Sequence, residues 1–443
     1  MGHLGHLKEQ YQSLVHRLGA GPVALPEPRD SAAWGGWKEI LEILYTPEEA
    51  ELASKLPIRP SSLKRVAARL GTSPEEIKPR LDAMCDRGLV LDLVHPDTGE
   101  AKYLLAPPVV GFFEFSMMRA HDGIPKKRMA EALHAYTHGD PAFAEEVFGS
   151  QTVIGRTLVH ETALGDEELP DVLDWERASA IIESATTHAV AICYCRHKAE
   201  HLGESCDAPK EVCLVLNGGG EFVIRHAFGR KIDKSEAMEI MAKARESGLV
   251  QIGDNVLNRP MYICNCCGCC CGQLQGINQY DLQSVTPSGF TPHSDPEICN
   301  GCSRCARACP VTAIVMAGRK MGSKRKNTLS PVVDAERCIG CGVCADTCVR
   351  GAMKMERDPV RPTVPVNSVE RSLRMSLERG RLAHLLFDEG SGRGSRFLNR
   401  VILALNALPV VQKALAMEQV KSRFVRAMLA RVADPTGGEE PDV

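Results

Sequence analysis

The sequence predicts an α+β protein of several domains, and three observations predict it. Eighteen of the nineteen cysteines are crowded between Cys193 and Cys348. Ahead of that field, residues 37–106 pass from helical to strand periodicity; behind it, residues 357–433 carry helical periodicity alone. A length of 443 residues allows about three domains at ~150 residues each. The expected order is a helix-and-hairpin unit at 37–106, a central cysteine-rich α/β domain at 107–289, a second cysteine domain at 290–356, a basic helical region at 357–433 and an acidic, disordered tail at 434–443.

The first unit follows from its punctuation. Leu63, Val66, Ala67 and Leu70 lie on one helical face, and Gly71 ends it. Ser73, Pro74 and Glu76 supply an N-cap, a proline at the first helical position and an acid at N3, so a second helix starts there. Ile77, Leu81, Met84 and Cys85 continue its apolar face until Gly88. Residues 89–94 and 102–105 read as strands about the turn Asp97-Thr98-Gly99. Two helices followed by a hairpin is the order of a winged helix. Its second helix sets Glu75, Glu76, Asp82 and Asp86 against Lys78, Arg80 and Arg87, a poor surface for phosphates, so no nucleic-acid partner is expected.

From 109 to 172 no ligand pattern is legible; the aromatic run Phe112-Phe113-Glu114-Phe115 reads as core or as a seam between domains. The central cysteines come next. Ala178, Ile181, Ile182 and Ala185 mark an amphipathic helix, and 189–192 a short strand that delivers Cys193, Cys195, Arg196, His197 and Lys198. Cys206 and Cys213 follow. Asn217-Gly218-Gly219-Gly220 reads as a turn, without the glycine order of a dinucleotide site. A helix capped by Asp233 and stopped by Gly248 interrupts the field. Then six cysteines fall within eight residues: Cys264, Cys266, Cys267, Cys269, Cys270 and Cys271. Adjacent cysteines point in different directions, so all six cannot face one cofactor. These ten thiols suit one or two iron–sulfur clusters, a soft-metal site, or redox-active disulfide exchange. The expected third cluster is held by Cys195, Cys206, Cys213 and one of Cys264 or Cys266. The cations Arg196, His197 and Lys198 either raise its potential or form a solvated basic turn.

The last field is the most specific. Cys299-x2-Cys302-x2-Cys305-x3-Cys309-Pro310 is followed by Cys338-x2-Cys341-x2-Cys344-x3-Cys348. A [4Fe–4S] cube needs four converging thiolates; the tight run gives three to one cube and the remote fourth cysteine ligates the other. Structural zinc prefers two C-x2-C pairs or mixed Cys/His sets. One cluster is therefore expected on Cys299, Cys302, Cys305 and Cys348, and a second on Cys338, Cys341, Cys344 and Cys309. Across residues 290–356 the chain resembles the bacterial 2[4Fe–4S] ferredoxin family at all eight ligand positions. It departs from it at Val349, where the second proline is usual, and in a linker carrying Arg319, Lys320, Lys324, Arg325 and Lys326. The whole arrangement resembles multidomain 4Fe–4S binding proteins of anaerobes, which implies electron transfer.

The C-terminal region reads as helices at 371–386, 397–408 and 410–432, with twelve Lys/Arg against five acids between 367 and 432. Such helices either cover a neighbouring domain or lie on a membrane surface or an acidic partner. Composition excludes little: hydrophobic content is 44%, charged content 25% and net charge −3, so there is no global pull toward nucleic acid or membrane. No apolar run reaches the ~18 residues of a membrane span. The start has no apolar leader core, so no export signal is expected. Many unbridged thiols imply a reducing compartment, hence a cytoplasmic location in an anaerobic or microaerobic cell. The expected function is single-electron transfer between a redox donor and an acceptor, possessed by an oxidoreductase component rather than a stand-alone catalyst. The alternatives are an iron–sulfur reductase with a substrate-binding cluster in the central domain and a redox-responsive winged-helix regulator.

Overall fold

A computed structural model describes residues 7–165, 172–318 and 329–387. The five linker cations, the helices expected at 397–408 and 410–432, and the acidic tail lie outside the described residues.

Three helices, Glu9–Leu18, Ser31–Leu44 and Pro47–Ser54, lead the chain. Thr46 and Glu49 form a capping box that starts the third. Strand β1 (Ser61–Ser62), the helices Leu63–Leu70 and Pro74–Cys85, and strands β2 (Val90–Val94) and β3 (Ala101–Leu105) follow. They form an antiparallel sheet of order β1-β3-β2. The punctuation acts as the residues suggest: Gly71 takes a left-handed φ of 69° and the Ser73 hydroxyl accepts from the Glu76 amide. The aromatic run is both core and seam. Phe112 and Phe113 are fully buried and pack edge-on, while the tilted Phe115 ring packs against Phe222 and Phe228 beside the large sheet, at 5.2 and 4.8 Å.

The central strands are β4 (Gly155–Leu158), β5 (His188–Ile192), β6 (Glu211–Leu216), β7 (Arg230–Lys231), β8 (Val250–Asp254), β9 (Tyr262–Cys266) and β10 (Val285–Thr286). They make one sheet of order β10-β4-β8-β9-β6-β5-β7, antiparallel except for the pair β10–β4. Side chains alternate across a strand. Val190, Leu214 and Ile263 therefore share a face, which the helices Ala178–Ser184 and Lys234–Glu246 cover. Ala191, Val215 and Tyr262 take the opposite face, toward the N-terminal helices, and Cys213 and Cys264 go with them.

The segment 217–220 is not a free turn. It is the first turn of the helix Asn217–Arg225. Asn217 holds a left-handed φ of 51° because its own side chain accepts from the Thr186 amide and donates to the Pro260 carbonyl. A Cβ at Gly220 would stand 3.0 Å from the Val215 carbonyl, so the glycines let this helix lie tight against β6.

Residues 290–357 form two antiparallel pairs. Strand β11 (Phe290–Ser294) pairs with β14 (Met353–Arg357), and β12 (Ile314–Gly318) with β13 (Leu329–Val333). Short helices Arg304–Ala308 and Val343–Asp346 lie between them. The chain then returns through helices Ser368–Glu378 and Leu382–Phe387 rather than one helix. Arg371 pairs with Asp254 of β8, and Arg381 with Glu146, so this part covers the central and N-terminal elements.

Candidate metal and cluster centres

All nineteen cysteines are unbridged. Among the ferredoxin-like cysteines, Cys299, Cys302, Cys305 and Cys348 line one small cavity. Cys309, Cys338 and Cys341 surround Cys344 closely enough to raise its thiol pKa after burial has done so. Burial likewise pushes the Cys338 thiol up to about 11 and Cys341 to about 12. Backbone amides already point at sulfur: Gly301 N–H at Cys299 and Ala313 N–H at Cys309, at 3.4 and 3.2 Å. Cys305, Cys309 and Cys348 pack in the same apolar group as Cys344, so the two sets adjoin.

The ten central cysteines divide into two sets. Six form an unbroken run of thiol contacts: Cys193 to Cys195, Cys195 to Cys271, Cys271 to Cys266, Cys266 to Cys264 and Cys264 to Cys213. Sheet register builds much of this. Leu214 stands opposite Ile263, which sets Cys213 beside Cys264, and Cys264 and Cys266 share a face by the two-residue strand period. Two helices begin at the set, Tyr194–His201 capped by Cys193 and Gly272–Tyr280 capped by Cys271. Their first amides, those of Arg196, Gly272 and Leu274, donate to Cys193, Cys195 and Cys271. Helix N-termini favour negative charge.

The other four, Cys206, Cys267, Cys269 and Cys270, hold their sulfurs within 4.8 Å of one another. The neighbours Cys266 and Cys267 thus serve different sets, as do Cys270 and Cys271. The expected grouping of Cys195, Cys206, Cys213 and Cys264 or Cys266 is split: Cys195, Cys213, Cys264 and Cys266 come together, while Cys206 joins the second set.

The cations beside the thiols are not a solvated turn. Arg196, His197 and Lys198 are all buried, Arg196 completely. Its guanidinium donates to the Asn265 carbonyl at 3.0 Å and reaches Cys267 Sγ at 3.6 Å, and its Nε has no partner among the described residues. Burial opposes this charge, but the sulfurs of Cys193, Cys267 and Cys266 outweigh it and raise the pKa. Reciprocally, a hydrogen bond from Cys270, aided by Arg196, pulls Cys267 down to about 4. Hydrogen bonds from Cys195 and Cys266 pull Cys271 down to about 5. A buried guanidinium with a vacant donor and no carboxylate partner calls for an anion. Thiolates, helix N-termini and this donor together fit a thiolate-bound, negatively charged iron–sulfur centre.

A cavity of about 210 Å³ opens onto the six-thiol set. Its walls are apolar, from Leu91 and Leu93 of β2 and Val110 at the outer end to Phe115, Phe148 and Phe222. One carboxylate lines it. Glu114 accepts from the Gly111 amide at 2.9 Å, and burial pushes its pKa up to about 7. The turn that holds it is strained: Val110 lies at φ 51°, ψ 53°, a region a β-branched residue rarely enters. Sequence reasoning missed Glu114; its one signal was a single acid inside an aromatic run.

The two cysteine fields meet. Cys266 and Cys271 share one apolar group with Cys341, Val311, Ala313 and Ile339. Gly268 makes the approach possible, since a Cβ there would stand 2.4 Å from the Pro310 carbonyl. Asn278 clamps the joint by donating to the carbonyls of Gly268 and Pro310. His160 adds a second tie, bonded to Asp346 and, through its backbone amide, to the Cys341 carbonyl.

Residues 298–352 match the family of 4Fe-4S dicluster domains, so this segment is an iron–sulfur domain of ferredoxin type. No curated protein and no solved structure matches the chain. No helix of the described residues is long and apolar enough to cross a membrane.

Proposed function

We propose that the chain is a multi-centre iron–sulfur electron-transfer protein. It relays single electrons through two [4Fe–4S] clusters of the ferredoxin-type domain and a further cluster on the six central thiols. The observation that carries this reading is the single apolar group in which Cys341 packs with Cys266 and Cys271. Bound clusters supply one-electron chemistry; the chain supplies thiolates, amide donors and the Arg196 charge, and excludes water between the centres. The resemblance to multidomain 4Fe–4S proteins of anaerobes supports the same role, with redox proteins as donor and acceptor, in a reducing cytoplasm. The helix–hairpin unit serves this protein as a winged-helix packing module. Arg225 and His226 of the central domain engage Asp92 on its hairpin, which supports docking inward over binding nucleic acid.

The test is anaerobic purification with iron and sulfide counting and EPR of the reduced protein. Three clusters require about twelve sulfide-matched irons per chain. A reconstituted chain that holds only about eight of each would sink the central cluster.

A second reading, a reductase acting at the six-thiol centre, is favoured by the apolar cavity and Glu114. Reduced protein should then be reoxidised by small apolar acceptors at a saturable rate. Leu93→Trp at the outer end should slow this and leave ferredoxin signals intact. Equal rates in both proteins would remove the second reading.

A further inference from the structure

We propose that Cys206, Cys267, Cys269 and Cys270 form a separate centre for one tetrahedrally coordinated metal ion, zinc or iron, distinct from every cluster of the chain. The sulfur spacing carries it. Cys206 Sγ stands 3.7 Å from Cys267 Sγ, Cys269 Sγ stands 3.6 Å from Cys270 Sγ, and all four lie within 4.8 Å. A metal–sulfur bond of about 2.3 Å gives a regular sulfur tetrahedron an edge of about 3.8 Å. In a cube each thiolate binds an iron at its own corner and points outward, so the sulfurs stand further apart. The chain contains its own comparison: among the described residues, no three of the eight ferredoxin-type cysteines come as close as this set.

Local sequence agrees. Cys267-Gly268-Cys269-Cys270 contains a C-x2-C knuckle, the spacing that folds two thiolates onto one ion. The Cys270 amide donates back to Cys267 Sγ, and the Cys206 amide donates to Cys270 Sγ. Cys206 arrives from the loop after the helix Tyr194–His201, so the ion would tie that loop to the 267–270 turn. Four thiolates around a divalent ion leave a charge of two minus, and the Arg196 guanidinium at 3.6 Å from Cys267 offsets half of it. Four soft sulfurs in a tetrahedron select zinc or iron over magnesium or calcium. Cys269 is exposed, which places one edge of the centre at the surface. The inference is independent of the electron-relay reading, because it needs no cluster on the other six thiols.

The experiment is metal and sulfide analysis of the full chain, purified anaerobically, with Cys269→Ser and the double variant Cys206→Ser/Cys269→Ser. The expected result is one zinc per chain, or one iron in excess of sulfide. The double variant should lose that ion and keep all sulfide-matched iron. If the ion is zinc, X-ray absorption at the zinc edge should show four sulfur neighbours at about 2.3 Å and no metal neighbour; if it is iron, Mössbauer spectra should resolve one mononuclear tetrathiolate iron apart from the clusters. Zinc would mark a structural ion and a single iron a redox-active one; either supports the site. Iron and sulfide falling together in equal numbers in the variants would assign these thiols to a cluster and overturn the proposal. A chain without the extra ion, whose four thiols instead oxidise to disulfides, would overturn it too. Cys269→Ser changes an exposed side chain, so it reads the site even if the double variant fails to fold.

Discussion

Replacing Arg196 by methionine removes a buried positive charge and keeps most of the volume. The guanidinium lies 3.6 Å from Cys267 Sγ and acts electrostatically on Cys193 and Cys266 of the six-thiol set. At an effective dielectric constant near 20, unit charges 3.6 Å apart interact by about 4.6 kcal/mol. An electron added to a thiolate-bound centre is spread over several atoms and lies further off, so roughly 2 kcal/mol of this remains. For one electron, 59 mV corresponds to about 1.36 kcal/mol, so the potential of the central cluster should fall by roughly 90 mV. The assay is an anaerobic potentiometric titration followed by EPR, with the ferredoxin-type clusters as internal reference. Arg196→Lys keeps the charge and should recover most of the shift. An unchanged potential in Arg196→Met, or equal shifts in both variants, would refute the electrostatic role of this residue.

Gly268→Ala drives a Cβ to 2.4 Å from the Pro310 carbonyl, an overpacking that costs about 1–3 kcal/mol. Freeze-quench EPR should find both ferredoxin-type signals present and transfer to the central centre slowed. His226 is held above its ordinary pKa of 6.5 by Asp92 and Asp86, although burial opposes this. A raised pKa contributes stability that is fully present below 6.5 and is lost as pH rises through the folded value, so the melting temperature should fall as pH rises above 6.5. His226→Gln should flatten that dependence; an unchanged slope would assign it elsewhere. The linker cations Arg319, Lys320, Lys324, Arg325 and Lys326 should help an acidic partner dock, so added salt should slow intermolecular electron transfer. Salt-independent rates would remove that role.

Local order was legible because it is local. Leu63, Gly71, Ser73 and Gly88 mark helix ends by conformational preferences that need no tertiary partner. The ferredoxin-type domain was legible because its cysteines fall in short, regularly spaced runs. The partition of the central cysteines was not, because it depends on register between strands far apart in sequence. Cys213 meets Cys264 only after β6 pairs with β9. The opposite directions of Cys266 and Cys267 followed from strand alternation, but which neighbour each would meet did not. Arg196 read equally well as part of a solvated basic turn or as a cation beside a cluster, since its surroundings come from β9 and the 267–270 turn. Asn217 was read from its glycines as a turn; its side-chain bonds to Thr186 and Pro260, which start a helix there, are tertiary.

The pairing of β6 with β9 also constrains when the six-thiol centre can be loaded. The six thiols run from Cys193 to Cys271, and the helix Lys234–Glu246 lies between them in sequence. During translation, a nascent chain that has emerged only to β6 offers three of the six thiols and no closed sheet. Edge strand β10 arrives later still, immediately ahead of the ferredoxin-type segment. A delivery protein carrying a preassembled cluster would therefore meet all six thiols only once synthesis has passed Cys271. The eight ferredoxin-type cysteines follow Cys271 in sequence, so neither region is complete before that point, and the growing chain must keep its exposed thiols reduced in the meantime.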